Sequence, residues 1–215
     1  MSRKLQGLLL GLVLPLLWLS VNGQVKQIGR NEYFDAMYKA QPATDASFPR
    51  IQRRVTTSLD KSAIKSTETN LYEYASANTW RHRVERVEMG KTSVTEYFQV
   101  GKYYYCPLTK GQWKKSTSTC EPISMTMSPD PEFQEYSVEK LTVDWSAIEK
   151  FRFYRSHTYN GSTFFFEQIF SVKQDGTFLG FETKSGRVKP DDVTETMKES
   201  YEYGTKIPPI VPPIK

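Results

Sequence analysis

Alternation of polar and apolar residues over most of the chain, broken by short turn signals, constrains the fold more than any other feature. Phe164–Val172 is the most apolar alternating stretch, and it lies between Asn160-Gly161 and Asp175-Gly176, two pairs typical of tight hairpin turns. An antiparallel sheet with this many strands must curl, close or split to bury its apolar face. Similar stretches predict strands over 51–59, 70–75, 80–90, 94–100, 103–106, 137–145, 151–159, 177–183 and 193–203, with a further strand starting at Trp113.

A single helix is predicted ahead of these strands, over Asn31–Ala40. Asn31 is a good N-terminal cap, and Phe34, Met37 and Tyr38 fall on one helical face. Gln41-Pro42 is expected to end it, because proline cannot donate a backbone hydrogen bond. The predicted fold is therefore mainly β, with a strongly curved antiparallel sheet and this N-terminal helix packed on its concave side.

The first 23 residues have the pattern of a secretory signal peptide. Arg3 and Lys4 precede an apolar run, Leu8–Leu19, and Val21 and Gly23 supply small residues before a cleavage site at Gln24. The run is shorter than the roughly 20 residues of a membrane span, although an uncleaved anchor is the alternative. We expect a signal peptide (1–23), one β-rich domain (24–206) and a proline-rich extended tail (207–215).

Charge argues against a nucleic-acid-binding protein. The whole chain has 29 Lys and Arg against 24 Asp and Glu, a net charge of +5. Removal of Arg3 and Lys4 with the signal peptide leaves 27 basic residues and a net charge of +3. The remaining charges are mixed in sign along the chain, whereas a nucleic-acid interface concentrates basic residues. No later segment is apolar enough to span a bilayer, so the mature protein is expected in the periplasm or outside the cell.

The two cysteines, Cys106 and Cys120, are expected to form a disulfide in an exported chain. Closing a loop of this length is worth about 3 kcal/mol in the chain-entropy model. Two free thiols or half of a metal site are the alternatives, but His82 and His157 lie far away in the sequence. We expect no metal and no cofactor.

Catalytic motifs are weak in this sequence, and we expect that the protein is not an enzyme. A catalytic histidine needs a nucleophile and an orienting carboxylate, and no Gly-x-Ser-x-Gly motif is present. His82 and His157 are predicted to be packed or surface residues. Arg81, Arg83 and Arg86 beside Trp80 suit either an anion or lipid headgroup or, more simply, a solvated strand face.

The order of parts resembles the periplasmic lipoprotein-carrier superfamily, which sorts outer-membrane lipoproteins. The likeness extends over most of the mature chain, in the helix, the Tyr97–Tyr104 hairpin, the Phe164–Lys184 segment, and Tyr201-Glu202-Tyr203 followed by Ile207-Pro208-Pro209. The resemblance implies an incomplete barrel with helices on its concave side and acyl chains bound between them. The cysteine pair is not a general feature of that family, and none of its ligand-binding residues falls on a matching motif here.

These observations predict an exported binding protein that holds a lipid or another apolar ligand in the concavity of the sheet. The alternative is a protein-interaction domain with a solidly packed core, whose exposed faces meet a protein partner. The candidate ligand-binding residues are apolar side chains of the strands and the helix: Val94, Phe98, Phe164, Phe166, Phe170, Leu179, Phe181, Phe34 and Met37.

Export predicts a processed N-terminus. Because the small residues Val21 and Gly23 precede Gln24, N-terminal sequencing of the exported protein should begin at Gln24. Exported protein that begins at Met1 would contradict this prediction.

Overall fold

A computed structural model describes residues 24–120, 135–142, 148–188 and 192–214. The predicted signal peptide, the predicted loop over 121–134 and the end of the predicted strand 137–145 lie outside the described residues.

The described residues form a mainly β structure with one α-helix and one antiparallel sheet of twelve strands that is not closed. The order in the sheet is β1-β8-β9-β10-β11-β12-β2-β3-β4-β5-β6-β7, so β1 and β7 are its edges. In chain order the elements are β1 (Gln24–Gln27), α1 (Arg30–Ala46), β2 (Arg50–Asp60), β3 (Ala63–Ser76), β4 (Thr79–Glu88), β5 (Lys91–Val100), β6 (Tyr103–Pro107), β7 (Trp113–Ser116), β8 (Glu135–Thr142), β9 (Ile148–Tyr159), β10 (Ser162–Lys173), β11 (Phe178–Arg187) and β12 (Val193–Tyr203).

The predicted hairpin turns are confirmed. Asn160 and Gly161 join β9 to β10 with φ angles of 49° and 73°, the left-handed pair that a tight turn of this kind requires. After β10, Asp175 accepts a hydrogen bond of 2.9 Å from the backbone N–H of Thr177, and β11 begins at the next residue. These turns are local in sequence, which is why alternation and turn residues suffice to predict them.

Helix α1 carries the chain across the sheet. Its 17 residues correspond to a length of about 26 Å. The helix leaves β1 at one edge and leads into β2, which is seventh in the sheet, and six strand spacings amount to about 29 Å. The length of α1 therefore matches the crossing that the topology requires, and α1 contacts β8 and β11 on the way.

The main core lies between α1 and strands β9 to β11. Tyr33 of α1 is fully buried and makes an edge-to-face contact with Phe170, which is 1% exposed, with ring centroids 4.9 Å apart. Phe151 stacks on Phe170, with ring centroids 4.7 Å apart. The buried members of this core are Tyr33, Ala40, Phe151, Phe153, Phe170, Val172 and Phe178.

Strand register divides the sheet into two faces. Phe151 pairs with Phe170, Phe170 with Phe181, and Phe181 with Glu199, so these residues lie on the face that α1 covers. We call this the helix-bearing face. The opposite face carries ion pairs between neighbouring strands, such as Arg152 with Glu167 at 2.6 Å.

Two local predictions are wrong in extent. Helix α1 continues past Pro42 to Ala46, although proline removes one hydrogen bond and was expected to end it at residue 41. Strand β3 begins at Ala63, seven residues before the predicted start at Asn70. Its polar first half does not alternate clearly and is held by pairing with β2 and β4, a tertiary effect that local propensity does not contain. Strand β1 was not predicted at all.

The predicted disulfide is confirmed. Cys106 at the end of β6 is bonded to Cys120, and their Cα atoms are 5.3 Å apart. The bond ties the chain that follows β7 back to β6 at the edge of the sheet. Strand β7 begins at Trp113, as expected.

Replacement of Phe170 by alanine should be strongly destabilising, because it leaves a cavity beneath Tyr33 and Phe151. We expect F170A to lower the free energy of unfolding by about 3–5 kcal/mol, measured by denaturant unfolding without reductant. Phe164 lies on the same strand and face but is only half-buried, so F164A is the matched control with a smaller loss. Equal losses for the two variants would contradict the placement of the core.

Candidate functional site

Five of the nine candidate ligand-binding residues come together at the α1–sheet junction. Phe170 belongs to the buried core, and Phe34, Met37, Phe166 and Phe181 are half-buried and pack against it. Phe34 also makes an edge contact with Tyr33, with ring centroids 5.3 Å apart.

Three others lie elsewhere. Phe98 and Val94 on β5 fall on the opposite face, since Phe98 pairs with Arg81. The ring centroids of Phe98 and Trp113 are 5.4 Å apart. Leu179 lies at a β-bulge, because β10 pairs Ser171 with Gly180 and Val172 with Phe178.

The last candidate, Phe164, is on the helix-bearing face but beyond the core. Its ring stacks on His157 of the neighbouring strand at 5.5 Å. The nine residues therefore do not line a single cavity, although a majority of them lie beneath or beside α1.

A cleft of about 440 Å³ opens between α1 and the sheet beside this core. Its apolar lining comes from Ala36 and Ala40 of α1, Phe151 of β9 and Val172 of β10. The volume falls in the roughly 300–1,000 Å³ range of small-molecule sites.

The rim of the cleft is charged. Lys140 of β8 donates a 2.6 Å hydrogen bond to Glu149 of β9, and Glu32 of α1 is 4.0 Å from Lys26. Lys39 and Lys173, which also line the cleft, form no ion pair with any residue that the structure describes. The cleft thus joins an apolar floor to a rim that offers cationic groups.

Tyr33 ties α1 to the sheet by polar as well as apolar contacts. Its hydroxyl donates a 2.9 Å hydrogen bond to the side-chain oxygen of Gln168 on β10. Burial raises the pKa of Tyr33 well above its ordinary value, so the hydroxyl keeps its proton. This hydrogen bond satisfies the only polar atom that the tyrosine side chain brings into the core.

An ion pair between a buried carboxylate and a half-exposed guanidinium lies next to the core on β12 and β2. Glu199 is 3% exposed, pairs with Arg54, and accepts a hydrogen bond from the hydroxyl of Tyr201. Burial, and then this hydrogen bond, raise the pKa of Tyr201 above its ordinary value. These three side chains mark the end of the apolar half of the helix-bearing face.

Beyond the ion pair, strands β3 to β5 form a polar groove of about 380 Å³ that the sequence did not predict. His82 lies at its centre, 5% exposed, with ring centroids 3.8 Å from Tyr72 and 5.5 Å from Tyr97. His82 was predicted to be a packed or surface residue, and it is packed. The residues that line the groove are Glu68, Asn70, Tyr72, His82, Val84, Arg86, Ser93, Thr95 and Tyr97.

Hydrogen bonds in the groove determine the tautomer of His82, and burial keeps its ring neutral. Nδ2 of Asn70 donates to Glu68 at 2.9 Å, so its Oδ1 is the atom 2.9 Å from Nε2 of His82. Because Oδ1 is an acceptor, Nε2 carries the hydrogen and Nδ1 is left as an acceptor. Burial lowers the pKa of His82 to about 4, and Arg54 acts in the same direction against the opposing effect of Glu68. The imidazole is therefore neutral at neutral pH.

The arginines near Trp80 do not form one patch. Arg81 and Arg83 lie on the opposite face and pair with Glu73 and Glu85, whereas Arg86 pairs with Glu68 in the groove. Each of them has a carboxylate partner, as expected for a solvated strand face.

Within the described ranges, no three His, Cys, Asp or Glu side chains come together as a metal site. The described part of the chain also has no helix of sufficient length and apolar character to span a membrane.

The buried neutral His82 predicts a pH dependence of stability. Below pH 6.5 the unfolded histidine takes up a proton that the folded protein excludes until about pH 4, so unfolding becomes easier as the pH falls through this range. H82Q cannot take up this proton. The difference in unfolding free energy between wild type and H82Q should therefore shrink from pH 7 to pH 4.5, in denaturant titrations at matched salt. A constant difference would contradict a buried neutral imidazole.

No family model matches this chain, and a search of the curated proteins finds no match to it.

Proposed function

We propose that this protein is an exported binding protein that holds an amphiphile, an acyl chain with a polar head, in the cleft between α1 and the helix-bearing face. The observation that carries the proposal is the cleft itself, in which an apolar floor meets a rim with two lysines that have no ion-pair partner among the described residues. The oxidised cysteine pair is compatible with export.

Curvature of the sheet toward α1 is part of this proposal, and chain connectivity supports it. Cys120 follows the edge strand β7, and Glu135 begins β8, ten strand positions away. A flat sheet would separate these strands by about 48 Å. The fifteen residue steps between Cys120 and Glu135 reach at most about 54 Å when fully extended. The flat-sheet separation is thus close to the longest distance that this segment can span. Curling of the sheet, as in an incomplete barrel, shortens that distance and favours a concave helix-bearing face.

The ligand would lie beside the core and would not replace it. Tyr33 and Phe170 are fully buried, so the space between them is already filled. Ala36 and Ala40 are small, and they leave the room on the sheet side of α1 in which an acyl chain can lie. Each CH₂ group that leaves water there gains about 0.8 kcal/mol.

The rim would hold the polar head. Lys39 comes from α1 and Lys173 from the end of β10, so a head between them contacts both sides of the cleft. The carboxylates Glu32 and Asp35 share this rim. The mixture of charges suits a head that is itself polar or zwitterionic better than a naked hydrocarbon.

A protein-binding function is the second candidate, and a separate groove favours it. This groove of about 710 Å³ lies between β5 and the turn after β6, where Val94 is 48% and Leu108 is 49% exposed. Among the described residues, only Phe98–Val100 of β5 pair with β6, so the earlier part of β5 presents a strand edge that an extended peptide of a partner protein would fit.

A matched pair of helix variants tests the amphiphile site. Lysophosphatidylcholine and palmitate should bind the purified protein, as measured by native mass spectrometry and by titration calorimetry. Ala36→Phe adds a ring inside the cleft and should weaken binding about tenfold or more, whereas Tyr38→Phe alters an exposed residue of the same helix and should not.

Unfolding curves of both variants provide the control for folding. Absence of binding by folded wild type, or equal binding by both variants, would contradict an amphiphile site in this cleft. The protein-binding function would then be the better account.

A further inference from the structure

The polar groove on β3, β4 and β5 has the features of a second binding site, independent of the cleft under α1. Its side chains are Glu68, Asn70 and Tyr72 on β3 and His82 and Arg86 on β4, which alternate along their strands and so share the helix-bearing face. Asn70 and His82 are buried, and buried polar groups cost stability unless they are satisfied. Converging polar groups in a pocket fix the orientation and specificity of a bound ligand.

The rings of the groove are already stacked on one another. Tyr72 covers one face of His82 at an interplanar angle of 12°, and Tyr97 covers the other at 24°. The imidazole therefore has no free face on which a nucleobase or another flat ligand could stack. A ligand can reach it only at the ring edge, where Nδ1 accepts a hydrogen bond.

The charges of the groove balance. Glu68 accepts hydrogen bonds from Asn70 and Arg86, which hold the pKa of its carboxyl below the ordinary value, and Arg86 is thereby neutralised. An anion would meet the carboxylate of Glu68, and a free cation would meet the guanidinium of Arg86. The balance favours a ligand without net charge.

Hydrogen-bonding capacity remains for a ligand. Arg86 uses Nε and Nη2 on Glu68, so other N–H groups of its five donors are left. The hydroxyls of Ser93 and Thr95 on β5 line the same groove. An acyl chain would leave these groups unsatisfied at a cost for each of them, whereas a hydroxyl-rich ligand would pair with them.

We propose that this groove binds a neutral saccharide, with its hydroxyl groups on Arg86, Ser93, Thr95 and the ring edge of His82. Vicinal hydroxyls match the adjacent carboxylate and guanidinium of Glu68 and Arg86, which offer an acceptor and donors side by side. Val84 adds an apolar contact for the C–H groups of a sugar ring.

A pair of substitutions on β5 tests the site. Ser93 pairs with Arg86 and faces the groove, whereas Thr92 pairs with Val87 and faces the other side. Both residues are exposed, so a larger side chain is tolerated at either position. Saturation-transfer NMR with maltose, cellobiose and diacetylchitobiose provides the measurement, and thermal unfolding confirms that each variant is folded.

We expect at least one of these disaccharides to bind wild type and Thr92→Trp, and Ser93→Trp to lose the signal. Thr95→Val, which removes one hydroxyl without added volume, should weaken binding by about threefold to tenfold. Absence of a signal for all three sugars with folded wild type would overturn the proposal, as would equal binding by the two tryptophan variants. Binding of palmitate that S93W abolishes would also overturn it, because the groove would then belong to an apolar site.

Discussion

The contact between Tyr33 and Phe170 is the interaction on which the rest of the structure depends. An antiparallel sheet of twelve strands exposes two faces, and within the described residues only α1 covers part of one. Tyr33 brings both an aromatic ring and a hydroxyl to this contact, and Gln168 satisfies the hydroxyl. Since the same contact sets the height of α1 above the sheet, it also sets the size of the cleft that Ala36 and Ala40 leave open.

The helix-bearing face has an apolar half and a polar half, and the ion pair of Glu199 and Arg54 lies between them. Removing the Glu199 carboxylate from water is costly, and Tyr201 offsets part of that cost with its hydrogen bond to Glu199. On one side of the pair are the aromatic core and the cleft, and on the other is the groove around His82. A hydrocarbon chain cannot run from one to the other without contact with the ion pair. Two separate sites for two kinds of ligand are therefore more consistent with this face than one long cavity.

Sequence alone predicted most of the strands and the hairpin turns, because each of these depends on neighbouring residues, and it predicted the disulfide because the chain has two cysteines. The turn at Asn160-Gly161 forms because these two residues adopt positive φ angles. Phe166 and Phe170 share a face because side chains alternate along a strand with a period of two. The position of Phe98, on the face opposite to those phenylalanines, is a different matter. It depends on the pairing of β12 with β2 and on the register of every strand between them, which no local pattern contains. The candidates on β5 therefore share a face with one another, as do those on β10, but the two strands present them on opposite faces, and Leu179 on β11 lies at a β-bulge.

The groove was overlooked for the same reason, although its residues alternate visibly along β3 and β4. The groove is formed only when three strands pair, since Asn70 on β3 hydrogen-bonds to His82 on β4, and Tyr97 on β5 stacks on His82. An apolar trio at these positions would pack at least as well and would leave no polar group to satisfy. A chain that instead buries a histidine, an amide and part of a carboxylate lowers its own stability at this place. Local conflict with the rules of stability is expected where a protein meets its ligand, and this is the physical reason for proposing a binding role for this half of the sheet.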